Sequence, residues 1–254
     1  MMTVYSMRLF PRVKIPYTGF MAQLFIVGTP IGNLGDITIR ALEVLRSVDI
    51  IAAEDTRHSL RLLNHYTISK PMISCHGHNE DRSAQRIIQE LEQGRSIAYV
   101  SDAGTPGISD PGTVLVRRVR QAGFPVVPIP GASALTSIAS VSGFSGRRLI
   151  FDGFLSPKAG RRKKQLQELL NTGDNCIIYE SPFRIVKLLG DLADLDPERP
   201  VVIGRELTKS FEEILGATAR EAFEDFASRS TIKGEFALVI SGSSPSVEDG
   251  NENA

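Results

Sequence analysis

From Gln23 onward, short apolar runs alternate with amphipathic stretches. Leu24-Phe25-Ile26-Val27, Val48 to Ala53, Pro71 to Ser74, Ile97 to Val100 and Val126 to Ile129 have the length and composition of buried strands. Between them apolar residues recur at helical spacing: Ile39, Leu42, Val44 and Leu45, then Leu60, Leu62 and Leu63, then Ile87, Ile88 and Leu91, then Val114, Leu115 and Val119. Asp36 is the expected N-cap of the first helix. Strands alternating with helices predict an α/β domain built on a mostly parallel five-stranded sheet. Each strand runs into a polar loop: Gly28 to Asp36, Glu54 to His58, Cys75 to Glu80, Ser101 to Gly112, and Pro130-Gly131-Ala132-Ser133-Ala134. A parallel sheet places all of these loops on one rim, and open parallel sheets bind ligands at that rim.

The pattern resets around Gly143 to Arg148. Strands are expected at Leu149 to Phe151, Cys176 to Tyr179, Val201 to Gly204 and Phe236 to Ile240, with Phe211 to Leu215 extended. Helices fall around Leu166 to Leu170, Ile185 to Leu192 and Ala222 to Phe226. A second, mixed α/β domain follows. The expected organisation is an extension over 1–21, a first domain over 22–143, a second over 144–242 and a tail over 243–254. The extension carries Arg8, Arg12 and Lys14 without an acid, and Pro11, Pro16 and Gly19 break its pattern. It reads as disordered or loosely docked; it has no compact apolar core of a secretory signal, and an organellar transit peptide is the weaker reading. The polar tail is expected to be disordered.

Charge and cysteine content narrow the function. Formal net charge is zero, so nucleic-acid contact must come from a local patch. Lys158, Arg161, Arg162, Lys163 and Lys164 form such a patch, one-signed and without an acid among them. Cys75 and Cys176 lie far apart without CxxC spacing, so small core residues in a reducing, cytoplasmic compartment are expected. No apolar run is long enough to span a bilayer, and no membrane partner is expected.

The loops exclude several chemistries. Gly28-Thr29-Pro30-Ile31-Gly32-Asn33 is not a dinucleotide fingerprint, because Pro30 stands where the second glycine belongs, and no Walker lysine follows. No nucleophile elbow or protein-kinase signature occurs. Cys75, His76, His78 and Glu80 match no zinc spacing, so no metal is expected and His78 and Asn79 read as polar substrate contacts. Asp55 or Thr56 could simply cap a helix.

Taken in order, Thr29-Pro30-Ile31-Gly32-Asn33-Leu34, Ala53-Glu54-Asp55-Thr56-Arg57, His78-Asn79-Glu80, Ser101-Asp102-Ala103-Gly104-Thr105-Pro106 and Arg205-Glu206-Leu207-Thr208-Lys209 resemble the tetrapyrrole-methylase superfamily, in particular its members that methylate ribosomal RNA. The resemblance runs from about Gln23 to Ile240. It implies a two-domain enzyme that binds S-adenosylmethionine between the domains, methylates a cytidine ribose 2′-hydroxyl in 16S rRNA or the small ribosomal subunit near the decoding centre, and forms a homodimer. It implies cofactor contacts from Pro30, Asp102, Ala103, Gly104, Thr105, Ile108, Ser133, Ala134, Tyr179, Leu207 and Ala237. Ala132 departs from the family's frequent Pro-Gly-Pro at this loop. A ribose hydroxyl needs a nearby base; Asp55, Glu54, His78 and Glu80 are candidates, with Glu80 and Asp55 preferred. Arg57, Lys158, Arg161, Arg162 and Lys163 would position phosphates. Two other readings are a tetrapyrrole methyltransferase of the same fold and a non-catalytic RNA-binding assembly factor.

Overall fold

The computed structural model describes residues 22–242. The expected extension and tail lie outside the described residues. The chain divides into two compact units at Ser133 and Ala134. The first contains β1 (Leu24–Val27), α1 (Ile39–Ser47), β2 (Ile50–Ala53), α2 (Thr56–His65), β3 (Met72–Ser74), α3 (Glu80–Glu92), β4 (Ile97–Val100), α4 (Thr113–Gln121) and β5 (Val126–Ile129). Its sheet has the order β3-β2-β4-β1-β5, and every pairing is parallel. Successive residues serve opposite faces, as the pleat requires. Ile50, Ala52, Ile97 and Tyr99 pack with Ala84, Ile87 and Leu91 of α3 and Leu115 and Val119 of α4. Ile51, Ala53, Ala98 and Val100 pack with Ala41 and Leu45 of α1 and Leu63 of α2. Covering both faces explains why these strands read as continuous apolar runs. The cap of α1 is Thr38, whose hydroxyl accepts from Ala41 N at 3.1 Å. Asp36 instead ends a short 3-10 turn, Leu34–Asp36, whose start is capped by Asn33.

The second unit contains α5 (Ala134–Val141), β6 (Leu149–Phe154), α6 (Ala159–Leu170), β7 (Asn175–Glu180), α7 (Ile185–Leu195), β8 (Pro200–Arg205), β9 (Glu213–Thr218), α8 (Ala219–Ser228) and β10 (Phe236–Ile240). The sheet order is β6-β7-β10-β8-β9, parallel only between β6 and β7. Leu166, Leu188, Leu192, Ala222 and Phe226 cover one face through contacts with Ile178, Ile203 and Leu238. Helix α5 packs against β10 and β8, with Ile138 fully buried. That packing places α5 in the second unit, so the division falls earlier than the expected boundary at Gly143.

The rim of the first sheet is braced from loop to loop. Thr29 and Gly104 exchange backbone hydrogen bonds, Thr29 N donating at 2.8 Å and Gly104 N at 3.1 Å. Gly28 and Gly131 approach so closely that a Cβ on Gly131 would stand 2.5 Å from the Gly28 carbonyl oxygen. Glu80 begins α3 and is buried, and its Oε1 accepts from Gly112 N and Leu115 N, both at 2.9 Å. A carboxylate that satisfies N–H groups at the start of α4 is a cap for that helix. Oε1 of Glu80, expected from the sequence as a base, is thus committed to the backbone of α4, which gives the residue a capping role. Glu80→Ala strands two buried donors and is expected to lower the unfolding free energy in urea titration by about 2–4 kcal/mol. Glu80→Gln keeps an amide oxygen for both bonds and should cost less than about 1.5 kcal/mol. Equal losses would show that charge, rather than the hydrogen bonds, holds the helix start.

Candidate active site

Three carboxylates meet where β2 and β4 end, and their settings differ. Asp102, half-buried, accepts Asp55 N on Oδ1 at 3.0 Å. Its own N donates to Glu54 Oε2 at 3.3 Å. These bonds tie the loop after β2 to the loop after β4. Asp55 is the N-cap of α2, its Oδ1 accepting from Arg57 N at 2.8 Å. That backbone bond holds the Asp55 carboxyl below its ordinary range. A carboxylate stabilised in its charged form is a poorer base, so the structure assigns Asp55 to capping. Burial has the opposite effect on Glu54 and raises its pKa. The sequence ranks Glu54 below Glu80 and Asp55; the structure separates them by the backbone donors that hold Asp55 and Glu80 and by the desolvation of Glu54.

The remaining rim residues fall as follows. Pro30, Asp102 and Thr105 are half-buried, Gly104 is buried, and Ala103 and Ile108 are exposed. Thr105 Oγ1 donates to the Ala132 carbonyl at 3.4 Å, a bond that the backbone supplies whichever residue occupies that position. Gly104 has φ of +74°, a conformation that favours glycine. Ser133 ends the first unit, on the loop after β5. Asn79 Oδ1 accepts from His76 N at 2.9 Å and so closes its own turn. The side chain of His78 lies outside what the structure describes. Cys75 is fully buried, and burial pushes its thiol up to about 11, which fits a core residue. Arg57 has 90% of its side chain exposed and lies 3.7 Å from the Asp55 carboxylate.

In the second unit, Ala237 pairs with Tyr179 on one side and with Gly204 on the other. A Cβ on Gly204 would lie 2.8 Å from Leu207 Cδ2, so the glycine makes room for that side chain. The structure thus brings Tyr179, Leu207 and Ala237 onto neighbouring strands and the loop after them; Ala134 opens α5. Glu206 and Thr208, on either side of Leu207, have φ of +50° and +68°. Non-glycine residues adopt such values at a cost, and surrounding bonds must hold them. Glu206 Oε1 accepts from Glu235 N at 3.0 Å and Lys209 Nζ at 2.9 Å, and Thr208 N donates to Glu212 Oε2 at 2.6 Å.

The basic run does not act as one patch. Arg162 is buried and pairs with Asp191 of α7 at 2.7 Å, and Lys163 pairs with Asp194 at 3.0 Å. Burial against Asp191 corrects the expected phosphate role of Arg162; Lys163 pairs with Asp194 at the surface, and helical spacing turns both toward α7. Lys158 and Arg161 are exposed and have no ion pair among the described residues. Sequence reasoning missed Ser59, which is buried on the apolar face of α2 beside Leu62 and Leu63. A polar residue interrupting that stripe was the available signal.

Comparison with known proteins places the chain. It is 48% identical over 226 residues to the ribosomal RNA small subunit methyltransferase I of Synechocystis, covering 89% of this chain and 81% of that protein. It is 45% identical over 223 residues to the protein of that name from Borrelia garinii, covering 87% and 100%. The methyltransferase CobJ has a similar structure, with a TM-score of 0.66 at 16% identity over 87% of this chain and 94% of that one. Uroporphyrin-III C-methyltransferase from Thermus thermophilus, complexed with S-adenyl homocysteine, gives a TM-score of 0.61 at 16% identity over 86% and 97%. At such identities these structures show the fold alone. The family description Tetrapyrrole (Corrin/Porphyrin) Methylases matches residues 23–222. With a family match over most of its length and relatives this similar, the chain belongs to the tetrapyrrole (corrin/porphyrin) methylase family.

Proposed function

We propose that this protein methylates the ribose 2′-hydroxyl of a cytidine in 16S rRNA near the decoding centre, using S-adenosylmethionine. Family membership makes it an S-adenosylmethionine-dependent methyltransferase. The names of its relatives support small-subunit rRNA as the acceptor, and the motif resemblance supports the cytidine ribose. The same reading takes the protein as a cytoplasmic homodimer. The observation that carries it is the braced rim, where Glu54, Asp55 and Asp102 stand together beside glycine-rich loops. An anionic rim suits a sulfonium cation, and loops without side chains let backbone approach a ligand. Asp102, Ala103, Gly104, Thr105, Pro30, Ile108, Ser133, Ala134, Tyr179, Leu207 and Ala237 are the cofactor contacts that the motif resemblance implies. Bound there, S-adenosylmethionine supplies an electrophilic methyl group. The chain's own contribution is to hold the ribose oxygen in line and close. Glu54, kept less acidic by burial, takes the hydroxyl proton. Arg57, Lys158 and Arg161 position phosphates.

The reading is tested with radiolabelled S-adenosylmethionine offered to unmodified small subunits, naked 16S rRNA and a tetrapyrrole precursor. Label in rRNA that survives alkaline hydrolysis in a protected dinucleotide supports it; label only in the tetrapyrrole overturns it. Glu54→Gln should slow single-turnover methylation by about 10²–10⁴-fold with cofactor affinity near wild type. The raised Glu54 pKa sets the sign of the pH profile: the wild-type rate falls as pH drops through it, because the base becomes protonated. The variant should lose that limb, and a wild-type rate in Glu54→Gln removes Glu54 as the base. Replacing Lys158 and Arg161 by alanine should weaken RNA binding and reduce the slope of log affinity against log salt by about 1–2. Arg162→Ala should instead cost about 3–5 kcal/mol of stability, since it leaves Asp191 unpaired. A salt slope unchanged by the double variant removes those two residues from the RNA interface.

A further inference from the structure

We propose that the end of the second sheet where β6, β7 and β8 stop is a stacking surface for unpaired RNA bases, formed by Phe154, Phe183 and Phe211. β6 runs parallel to β7, and both β7 and β8 run antiparallel to β10, so these three strands finish at the same end. Phe154 is the last residue of β6, Phe183 lies in the connection from β7 to α7, and Phe211 lies in the connection from β8 to β9. Their exposures are 54%, 87% and 75%. Every other phenylalanine among the described residues is buried or half-buried. Tyr179 and Leu207, two of the implied cofactor contacts, lie at this same end of the sheet.

The rings sit on braced loops. Glu180 Oε1 accepts from Ser181 N and from Arg184 Nη2, both at 2.7 Å, and Arg184 Nη1 donates to the Leu155 carbonyl at 3.1 Å. These bonds tie the connection that carries Phe183 to the residue after Phe154. Phe154 also meets Tyr179 edge-on, with ring centroids 5.9 Å apart. Beside Phe211, Glu212 Oε2 accepts Thr208 N at 2.6 Å and Glu212 N donates to the Lys209 carbonyl at 3.1 Å. An exposed ring on a fixed backbone loses little freedom on binding, and leaving it in water is unfavourable for its apolar area. A contiguous apolar surface would suit a second copy of the chain. These rings instead stand apart, since β6 and β8 are three strand spacings, about 14 Å, from each other. Polar residues flank them in the chain: Arg184 after Phe183, and Ser210 and Glu212 around Phe211. Lys158 and Arg161, exposed and without an ion pair among the described residues, follow Phe154 between β6 and the first turn of α6. Separated rings beside unpaired cations match a single strand, whose bases stack on aromatic faces while its phosphates meet the cations. The assignment rests on the RNA reading above and adds where the unpaired strand next to the acceptor nucleotide is held.

The sequence contains no tryptophan, so Phe183→Trp and Phe211→Trp each introduce a single reporter. The full chain carrying either substitution is titrated with a single-stranded oligoribonucleotide and with an RNA duplex of the same length. The single strand is expected to quench the indole fluorescence and the duplex to leave it unchanged. In parallel, Phe183→Ala and Phe211→Ala are measured for affinity to naked 16S rRNA, affinity for S-adenosylmethionine, urea midpoint and sedimentation. Each is expected to weaken rRNA binding about tenfold with an unchanged salt slope, because a ring neutralises no phosphate. Cofactor affinity, urea midpoint and sedimentation should match the wild type, and the tryptophan variants should bind rRNA as the wild type does. If the wild type labels rRNA and the alanine variants bind it equally well, or if duplex and single strand quench alike, the surface does not stack bases. A shift to a lighter species in sedimentation would give the rings to a second copy of the chain, weakened cofactor binding would give them to the cofactor, and a lowered urea midpoint would give them a structural role; each overturns the proposal while leaving the RNA reading intact. A wild type that labels no RNA overturns the RNA reading, and the stacking surface with it.

Discussion

The reciprocal backbone bonds between Thr29 and Gly104 join the loops after two adjacent parallel strands, and the rim depends on that junction. Beyond the end of a strand the ladder stops, yet backbone N–H and C=O groups that stay buried still need partners. Gly104 is buried and left-handed, and Thr29 is 3% exposed, so water does not serve them. The loops answer by bonding to one another. The near contact of Gly28 with Gly131 draws in the loop after β5, and Asp102 draws in the loop after β2. Side chains set on this frame have fixed positions before any ligand arrives, which reduces the ordering that binding would otherwise require.

Within the frame, carboxylates of the same chemical type are separated by their surroundings. Glu80 is held by two backbone donors at the start of α4. Asp55 is held ionised by the first turn of α2. Glu54 sits where burial disfavours its charge and its neighbours Asp102 and Asp55 add repulsion. All three accept backbone N–H groups, and what differs is the setting in which each does so. Divergent environments for like groups are a recurrent way of allotting acid–base roles.

The second unit shows the same division of labour among cations. Arg162 and Lys163 fasten α6 to α7 through Asp191 and Asp194, while Lys158 and Arg161 stay at the surface. The first turn of α6 carries no acidic residue, contrary to the preference of a helix N-terminus for negative charge. Local electrostatics are therefore unfavourable at Lys158 and Arg161 unless an anion lies near, which agrees with a role in binding phosphates.

The alternation of apolar runs and helical stripes determined the parallel sheet, its strand positions and the single rim of polar loops, because burial on both faces forces that pattern into the residues themselves. The motifs on those loops likewise determined the family. What the linear order does not hold is which side chains meet across a turn of chain. Glu80 and Gly112 are joined only because α3 and α4 pack on one face of the sheet, and Arg162 and Asp191 only because α6 lies along α7. The grouping of α5 with the second unit arises from its packing on β10 and β8. Glu54 and Asp55 are adjacent in sequence and alike in type, yet one accepts Asp102 N and the other caps α2. Hydrogen-bond geometry and desolvation depend on distances of a few ångströms, so the roles of these residues were decided by the tertiary structure alone.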